Sequence, residues 1–298
     1  MRILLSVLIV VLSAGIAHPA RFADRGVFLN PLADKIEGEG GFIHSLIAWT
    51  EFSRYFSRTD EAHHWSARLG ASAEMFRLRN DFSIYIESSI ELICGTNSDI
   101  RFEPLSFFWQ ESVFVMHRLP DFIWGVGYYH RCKHDIDNAR RLLRIDEARE
   151  RILVYDSVSL KFAPNPFVFQ WSDNFSSSIK ILLENHFFVL WNDWVLEEIR
   201  PREFTIFDLV NTIDFGARFD LLNWKDFGIY FKPNLFWHIY RNETETIFPL
   251  DILLEAGIEA RGAKASFRFF IRYEKFFEPG IEPFLQSGEY AMVGVKVL

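Results

Sequence analysis

The stretch Asp251-Ile-Leu-Leu-Glu-Ala-Gly-Ile-Glu-Ala-Arg261, followed after a short turn by Ser266-Phe-Arg-Phe-Phe-Ile-Arg-Tyr-Glu274, decides the fold class. Ile252, Leu254, Ala256, Ile258 and Ala260 alternate with Asp251, Glu255, Gly257, Glu259 and Arg261. Phe267, Phe269, Ile271 and Tyr273 alternate with Ser266, Arg268, Arg272 and Glu274. A period of two is the signature of a strand, whose successive side chains point to opposite faces. Glu255 and Glu259 on one such strand are placed to meet Arg268 and Arg272 on the next, so charges of both signs share one face. In a water-soluble sandwich that face would look out; in a transmembrane barrel it lines the lumen and the apolar face meets lipid.

Working outward, the same alternation recurs along most of the chain. It predicts strands over 42–55, 65–78, 82–94, 108–118, 122–132, 151–162, 178–191, 205–221, 227–240, 250–260, 265–276 and 288–298. These are about twice the ~5–6 residues usual in globular strands, and they match the ~9–11 residues that a tilted strand needs to cross a bilayer. The aromatic content of 17%, with 32 Phe and 9 Trp, suits interfacial girdles. Connections alternate in length. Arg79–Asp81, Leu119–Asp121, Leu222–Asp226 and Arg261–Lys264 are short and rich in turn formers. The intervening connections are longer. Short periplasmic turns and long external loops are the habit of outer-membrane barrels, with an even number of strands. Residues 163–177 break this rhythm; Phe167–Trp171 there alternates too, and would either lengthen a strand or cover the floor. The expectation is therefore all-β: an antiparallel transmembrane β-barrel of about twelve strands.

The first residues set the compartment. Arg2 precedes an apolar run from Ile3 to about Ile16, and small residues Gly15 and Ala17 suit cleavage before His18. Residues 1–17 read as a signal peptide, 18–41 as a periplasmic lead-in and 42–298 as the barrel. The apolar run falls short of the roughly 20 residues of a membrane helix. Net charge is −8 with no basic block, which gives nucleic-acid binding no electrostatic support. Leu298 stands where a barrel's last strand usually carries an aromatic residue. Outer-membrane lipid, lipopolysaccharide and the barrel assembly machinery are the expected partners, and no cofactor is expected.

The densest cluster of chemically active residues ends the strand Asp121-Phe-Ile-Trp-Gly-Val-Gly-Tyr-Tyr-His-Arg-Cys-Lys-His-Asp-Ile-Asp137. Tyr128, His130, Cys132 and His134 fall on one side of it, with Asp135 and Asp137 beyond. A thiolate at Cys132 activated by His130 could attack an ester. The same residues include zinc and copper ligand types. However, His130 and His134 are roughly 13 Å apart along an extended strand, too far for one ion, so no metal set is assigned. Arg131, Lys133, Arg140, Arg141 and Arg144 suit lipopolysaccharide phosphates. The plainest role for His130, His134, Asp135 and Asp137 is to hold the rim and its loop. Cys94 and Cys132 could form one bridge or remain thiols. Residues 133–150 carry a helical pattern in Ala139, Leu142, Leu143 and Ile145.

Two family resemblances attach to these residues. Phe28-Leu-Asn-Pro31-Leu32-Ala33-Asp34 and His130-Arg-Cys132-Lys-His134-Asp-Ile-Asp137, with Arg151-Ile152 after it, resemble an uncharacterised family of exported bacterial barrels. That family carries Phe-x-x-Pro-Leu-x-Asp and His-x-Ser-Ser-His-x-Gly-Asp. Here both serines are replaced, by Cys132 and Lys133, and the glycine by Ile136. The spacing His130-Arg-Cys132 is also similar to the His-x-Ser of outer-membrane phospholipase A, although Lys133-His134 stands where that family has Asn-Gly. The first resemblance implies location and fold; the second implies a lipid esterase at the rim using His130 and Cys132. The expectation is a structural, binding or small-solute transport barrel, with that esterase as the alternative.

Overall fold

A computed structural model of the chain describes residues 41–57, 63–78, 82–95, 104–135, 151–195, 208–262, 265–277 and 287–298. The expected signal peptide, nearly all of the lead-in, the Phe28–Asp34 motif, Asp137 and the helical pattern after Asp135 lie outside these residues. The strands are β1 (Gly41–Ser57), β2 (Trp65–Leu78), β3 (Phe82–Cys94), β4 (Pro104–Arg118), β5 (Phe122–Asp135), β6 (Arg151–Pro164) and β7 (Phe167–Ser172), then β8 (Phe175–Val195), β9 (Asp208–Trp224), β10 (Phe227–Arg241), β11 (Thr246–Ile247), β12 (Leu250–Arg261), β13 (Ser266–Phe277) and β14 (Ser287–Val297).

Twelve of these close into one antiparallel ring in the order β1-β2-β3-β4-β5-β6-β8-β9-β10-β12-β13-β14, returning to β1. The closing seam pairs Thr50 with Val297 and runs to Tyr55 with Met292, then past a bulge to Ser57 with Ala291. Closure gives each of the twelve strands a partner on both sides along part of its length, which is what a bilayer demands of a strand structure. The remaining two strands are accessory. β11 pairs only with Tyr240 and Arg241 at the end of β10.

β7 resolves the irregular connection seen in the sequence. β6 pairs with β8 from Phe162–Leu183 to Arg151–Val195, and β7 pairs with the remainder of β8, from Phe167–Ile179 to Ser172–Phe175. The segment is thus one long strand edge interrupted at Asn165-Pro166, ending in the tight turn Asp173-Asn174. Pro164 and Pro166 have no N–H and cannot carry the ladder through. Asn165 is tied instead to the β4–β5 turn, its N–H donating to Asp121 O at 2.8 Å and its amide to Pro120 O at 2.6 Å.

The two faces are inverted relative to a soluble sheet. Phe267, Phe269 and Ile271 on β13 are between 45% and 54% exposed, while Arg268 and Arg272 between them are at most 3%. On β4, Val113 and Val115 are exposed while Ser112, Phe114 and Met116 are buried. Exposing each such large apolar side chain to water would forfeit about 1.5–3 kcal/mol, so the outer wall requires lipid. Trp124, Trp171, Phe175 and Trp224 lie exposed near the short-turn end, and Trp109 and Trp237 near the other, as interfacial aromatics do. The chain is an outer-membrane β-barrel.

Inside, the ladder sets charge against charge. Glu255 faces Arg272 and Glu259 faces Arg268 in the β12–β13 register, as the alternation predicts. Arg272 donates to Glu51, one strand beyond β14, at 2.6 Å and to Glu255 at 2.5 Å. Toward the short-turn end, Glu259 accepts from Arg268 at 2.8 Å and Arg218 at 2.9 Å, and Arg218 also reaches Asp220 at 2.7 Å. The Tyr230 ring lies beside both guanidiniums, 4.5 Å from Arg218 and 5.4 Å from Arg268. Its hydroxyl donates to Glu255 at 2.9 Å. Arg218, Asp220, Tyr230, Glu259 and Arg268 are each at most 4% exposed, so side chains fill the lumen on the β9–β13 side of this end.

Candidate functional site

The signature strand β5 divides its residues between two compartments. Tyr129 and Arg131 face the lumen, where both line a chamber. Tyr128, His130 and Cys132 belong to the opposite, outer face, in register with Val113, Glu111 and Trp109 of β4 and with Val158, Asp156 and Val154 of β6. His130 therefore stands between two carboxylates. Its Nδ1 lies 2.7 Å from Asp156 Oδ1, and the Tyr128 hydroxyl donates to the same oxygen. A carboxylate only accepts, so Nδ1 carries the proton and Nε2 is left as the basic nitrogen. Glu111 in turn accepts from Trp109 Nε1 at 2.7 Å.

Cys132 is 8% exposed and unbridged, and Cys94, fully buried on β3, is also a free thiol. Strand β4 runs between them. His134 and Asp135 extend β5, paired with Phe107 and Ser106 of β4. Among the described residues no group of three His, Cys, Asp or Glu side chains converges as a metal site. Arg131, read from the sequence as a rim cation for lipopolysaccharide, turns inward instead and packs over the Phe108 ring at 4.7 Å. Alternation places it opposite His130, so the two cannot serve one surface.

The second candidate lies inside. The lumen holds a chamber of about 520 Å³. One row of its wall follows the ladder across four strands: Ser159 pairs with His186, His186 with Thr212, and Thr212 with His238. His186 is saturated. Its Nδ1 accepts from Ser159 Oγ at 2.6 Å, and its Nε2 lies 3.4 Å from Glu184. Ser159 is fully buried behind it. His238 has a similar arrangement facing the chamber. Its Nδ1 lies 2.8 Å from Thr212 Oγ1, and its Nε2 lies 3.1 Å from Asp251 Oδ2. Asp251 Oδ1 accepts the Phe277 N–H at 2.8 Å.

Lumen cations near the chamber are nearly all matched. Arg68 lies 2.6 Å from Glu91, Lys161 3.3 Å from Glu184, and Lys296 3.6 Å from Glu51. Lys232 differs. It is 6% exposed and lines the chamber, yet no carboxylate lies within ion-pair distance among the described residues. Two positions along β10, Asn234 Oδ1 is buried without a hydrogen-bond partner. Sequence reasoning missed Lys232, Thr212 and His238. Each is a single polar residue on an alternating strand, and only the barrel's register brings them to one wall; the inward parity of β9 and β10 was the available signal.

No family model matches the chain, and no curated protein does. Among solved structures it is similar to LpxR from Salmonella typhimurium, at 8% identity over 85% of this chain and 99% of that one, with a TM-score of 0.47. It is similar to the transport unit of the autotransporter AIDA-I from Escherichia coli, at 10% identity over 92% and 93% of the two chains, TM-score 0.45. The CymD monoaromatic hydrocarbon channel follows at 9% identity over 93% of each, TM-score 0.38. At these values none of them bears on what the chain does; its barrel rests on its own closed ladder and inverted faces.

Proposed function

We propose that this outer-membrane barrel is a binding protein whose lumen chamber takes a small anionic solute, with Lys232 as the anchoring cation. The observation that carries this is Lys232 itself: nine-tenths buried in the chamber wall and, unlike Arg68, Lys161 and Lys296, without a carboxylate within ion-pair distance among the described residues. Glu255 faces it across the β10–β12 ladder but is held by Arg272 at 2.5 Å, so an anion or water would complete the surroundings of this buried ammonium. Asn234 Oδ1 beside it offers an acceptor for a hydroxyl on the same solute. The narrowed short-turn end favours holding a solute over conducting it. The outer wall would sit in outer-membrane lipid with lipopolysaccharide around its rim, inserted by the barrel assembly machinery. The resemblance of His130–Asp137 to the uncharacterised exported family fits a shared loop base.

The test is thermal unfolding of the purified barrel in detergent with acetate or inorganic phosphate, against chloride at equal ionic strength. A ligand at 100 times its Kd stabilises the folded state by about 2.7 kcal/mol. The expected result is an anion-dependent rise in Tm that Lys232→Met abolishes. An equal rise in the variant overturns the assignment. Planar-bilayer conductance of porin size would overturn the binding role in favour of transport.

One observation favours a second reading, the rim esterase. Asp156 orients the His130 ring and leaves Nε2 free to act as base toward Cys132. Loss of lipid-ester turnover in both His130→Ala and Cys132→Ala would support it. Unchanged turnover in Cys132→Ala would remove it.

A further inference from the structure

The Thr212–His238–Asp251 set has the connectivity of a nucleophilic relay, and it stands in the chamber wall independently of Lys232. Asp251 can only accept, so the His238 Nε2 at 3.1 Å carries the proton. The neutral ring then has Nδ1 as its acceptor, and Thr212 Oγ1–H donates to it at 2.8 Å. Asp251 is itself held by the Phe277 backbone N–H at 2.8 Å. The base is thus oriented by a third group that is fixed in turn, which is the arrangement that activates a hydroxyl. In the companion set around His186 the hydroxyl is out of reach, because Ser159 is fully buried away from the chamber, whereas Thr212, although only 5% exposed, lines the chamber with His238 and Asp251. The wall around them is apolar. Phe236 stacks on the His238 ring with centroids 6.5 Å apart, and Tyr240 lies 5.7 Å from both His238 and Phe277.

We propose that Thr212, with His238 as base and Asp251 as its positioning carboxylate, cleaves a carboxylic ester whose acyl group packs on Phe236, Tyr240 and Phe277. Thr212 Oγ1 bonds to the carbonyl carbon while its proton passes to His238 Nδ1. The carbon–oxygen bond to the alcohol breaks, and the same proton returns to the leaving oxygen. Water then attacks the acyl-Thr212 ester by the reverse route, releasing the carboxylic acid and restoring the hydroxyl. Strand N–H groups at Thr212 are committed to the ladder with β8 and β10, so backbone stabilisation of the oxyanion is weak. The expected behaviour is accordingly slow turnover with an accumulating covalent intermediate.

The test uses the full-length barrel in detergent, treated with an alkyl fluorophosphonate and mapped by mass spectrometry. The expected result is one adduct on the peptide containing Thr212, absent in Thr212→Ala and retained in Thr212→Ser. Labelling slows about 100-fold or more in His238→Ala, in the range of general-base contributions, and is unchanged in Ser159→Ala. The anion-dependent rise in Tm persists in Thr212→Ala, which separates this proposal from the binding of anions. Heat-modifiable gel migration identifies variants that have folded. An unlabelled Thr212 in the folded native protein, or native-rate labelling in folded His238→Ala, overturns the proposal.

Discussion

Arg272 illustrates what a buried charge does in this lumen. It is 3% exposed and bridges Glu51 on β1 to Glu255 on β12. Arg272→Met removes the cation that joins two buried carboxylates and leaves Glu51 with only the longer contacts to Lys296 at 3.6 Å and Arg68 at 3.7 Å. The expected destabilisation is about 3–5 kcal/mol, read as a lower urea midpoint for loss of the heat-resistant folded band. Glu255→Gln, which keeps a hydrogen-bond acceptor, should cost less in the same assay. Half of this cluster was legible in the chain. Glu255 and Arg272 lie on consecutive strands joined by a short turn, so parity alone brings them together. Glu51 is 221 positions from Arg272, and only ring closure makes them neighbours. The same limit hid Asp156 from His130 and Asp251 from Thr212. The signature strand was visible because its reactive residues are close in sequence, yet their inward or outward sense depends on which parity faces lipid.

At the scale of the strand, parity governs what a substitution costs. Leu160 on β6 is 46% exposed on the outer wall. In a soluble protein an exposed Leu→Arg change would be nearly neutral. Here Leu160→Arg places a charge in hydrocarbon and should cost about 2–4 kcal/mol if it lies near the midplane, measured by chemical unfolding in lipid vesicles. Lys161, the next residue, points inward to Glu184, so Lys161→Leu would damage the lumen and leave the lipid wall intact. Gly294 on β14 is a different constraint. A Cβ there would meet the Phe270 ring at 2.3 Å and Phe52 O at 2.7 Å. Gly294→Val should prevent the seam from closing, seen as loss of the fast-migrating form on unheated gels. Residues 163–177 left two outcomes open in the sequence, because the prolines break the ladder while the alternation continues past them; the structure takes the first, a lengthened strand edge.

For the molecule as a whole, strand count was legible because short and long connections alternate with an even total. The chamber was not, because its shape depends on which large side chains fill one end. That filling makes a prediction. The cluster of Arg218, Glu259 and Arg268 around Tyr230 narrows the short-turn end on the β9–β13 side. Replacing Tyr230 and Arg218 together with Ala should raise planar-bilayer conductance above the native level; an unchanged baseline would mean that the block lies elsewhere. The seam between β1 and β14 has a further consequence. It starts at Thr50, so among the described residues Gly41–Trp49 hold a partner on the β2 side alone. Its contacts are also the most distant in sequence, and distant contacts are the slowest to form. The barrel is therefore a ring whose clasp is both its last and its shortest joint. Eleven β-hairpin-like pairs can zip locally as the chain emerges, while β14 must wait for β1, and the half-open ring is the species that any insertion machinery has to hold.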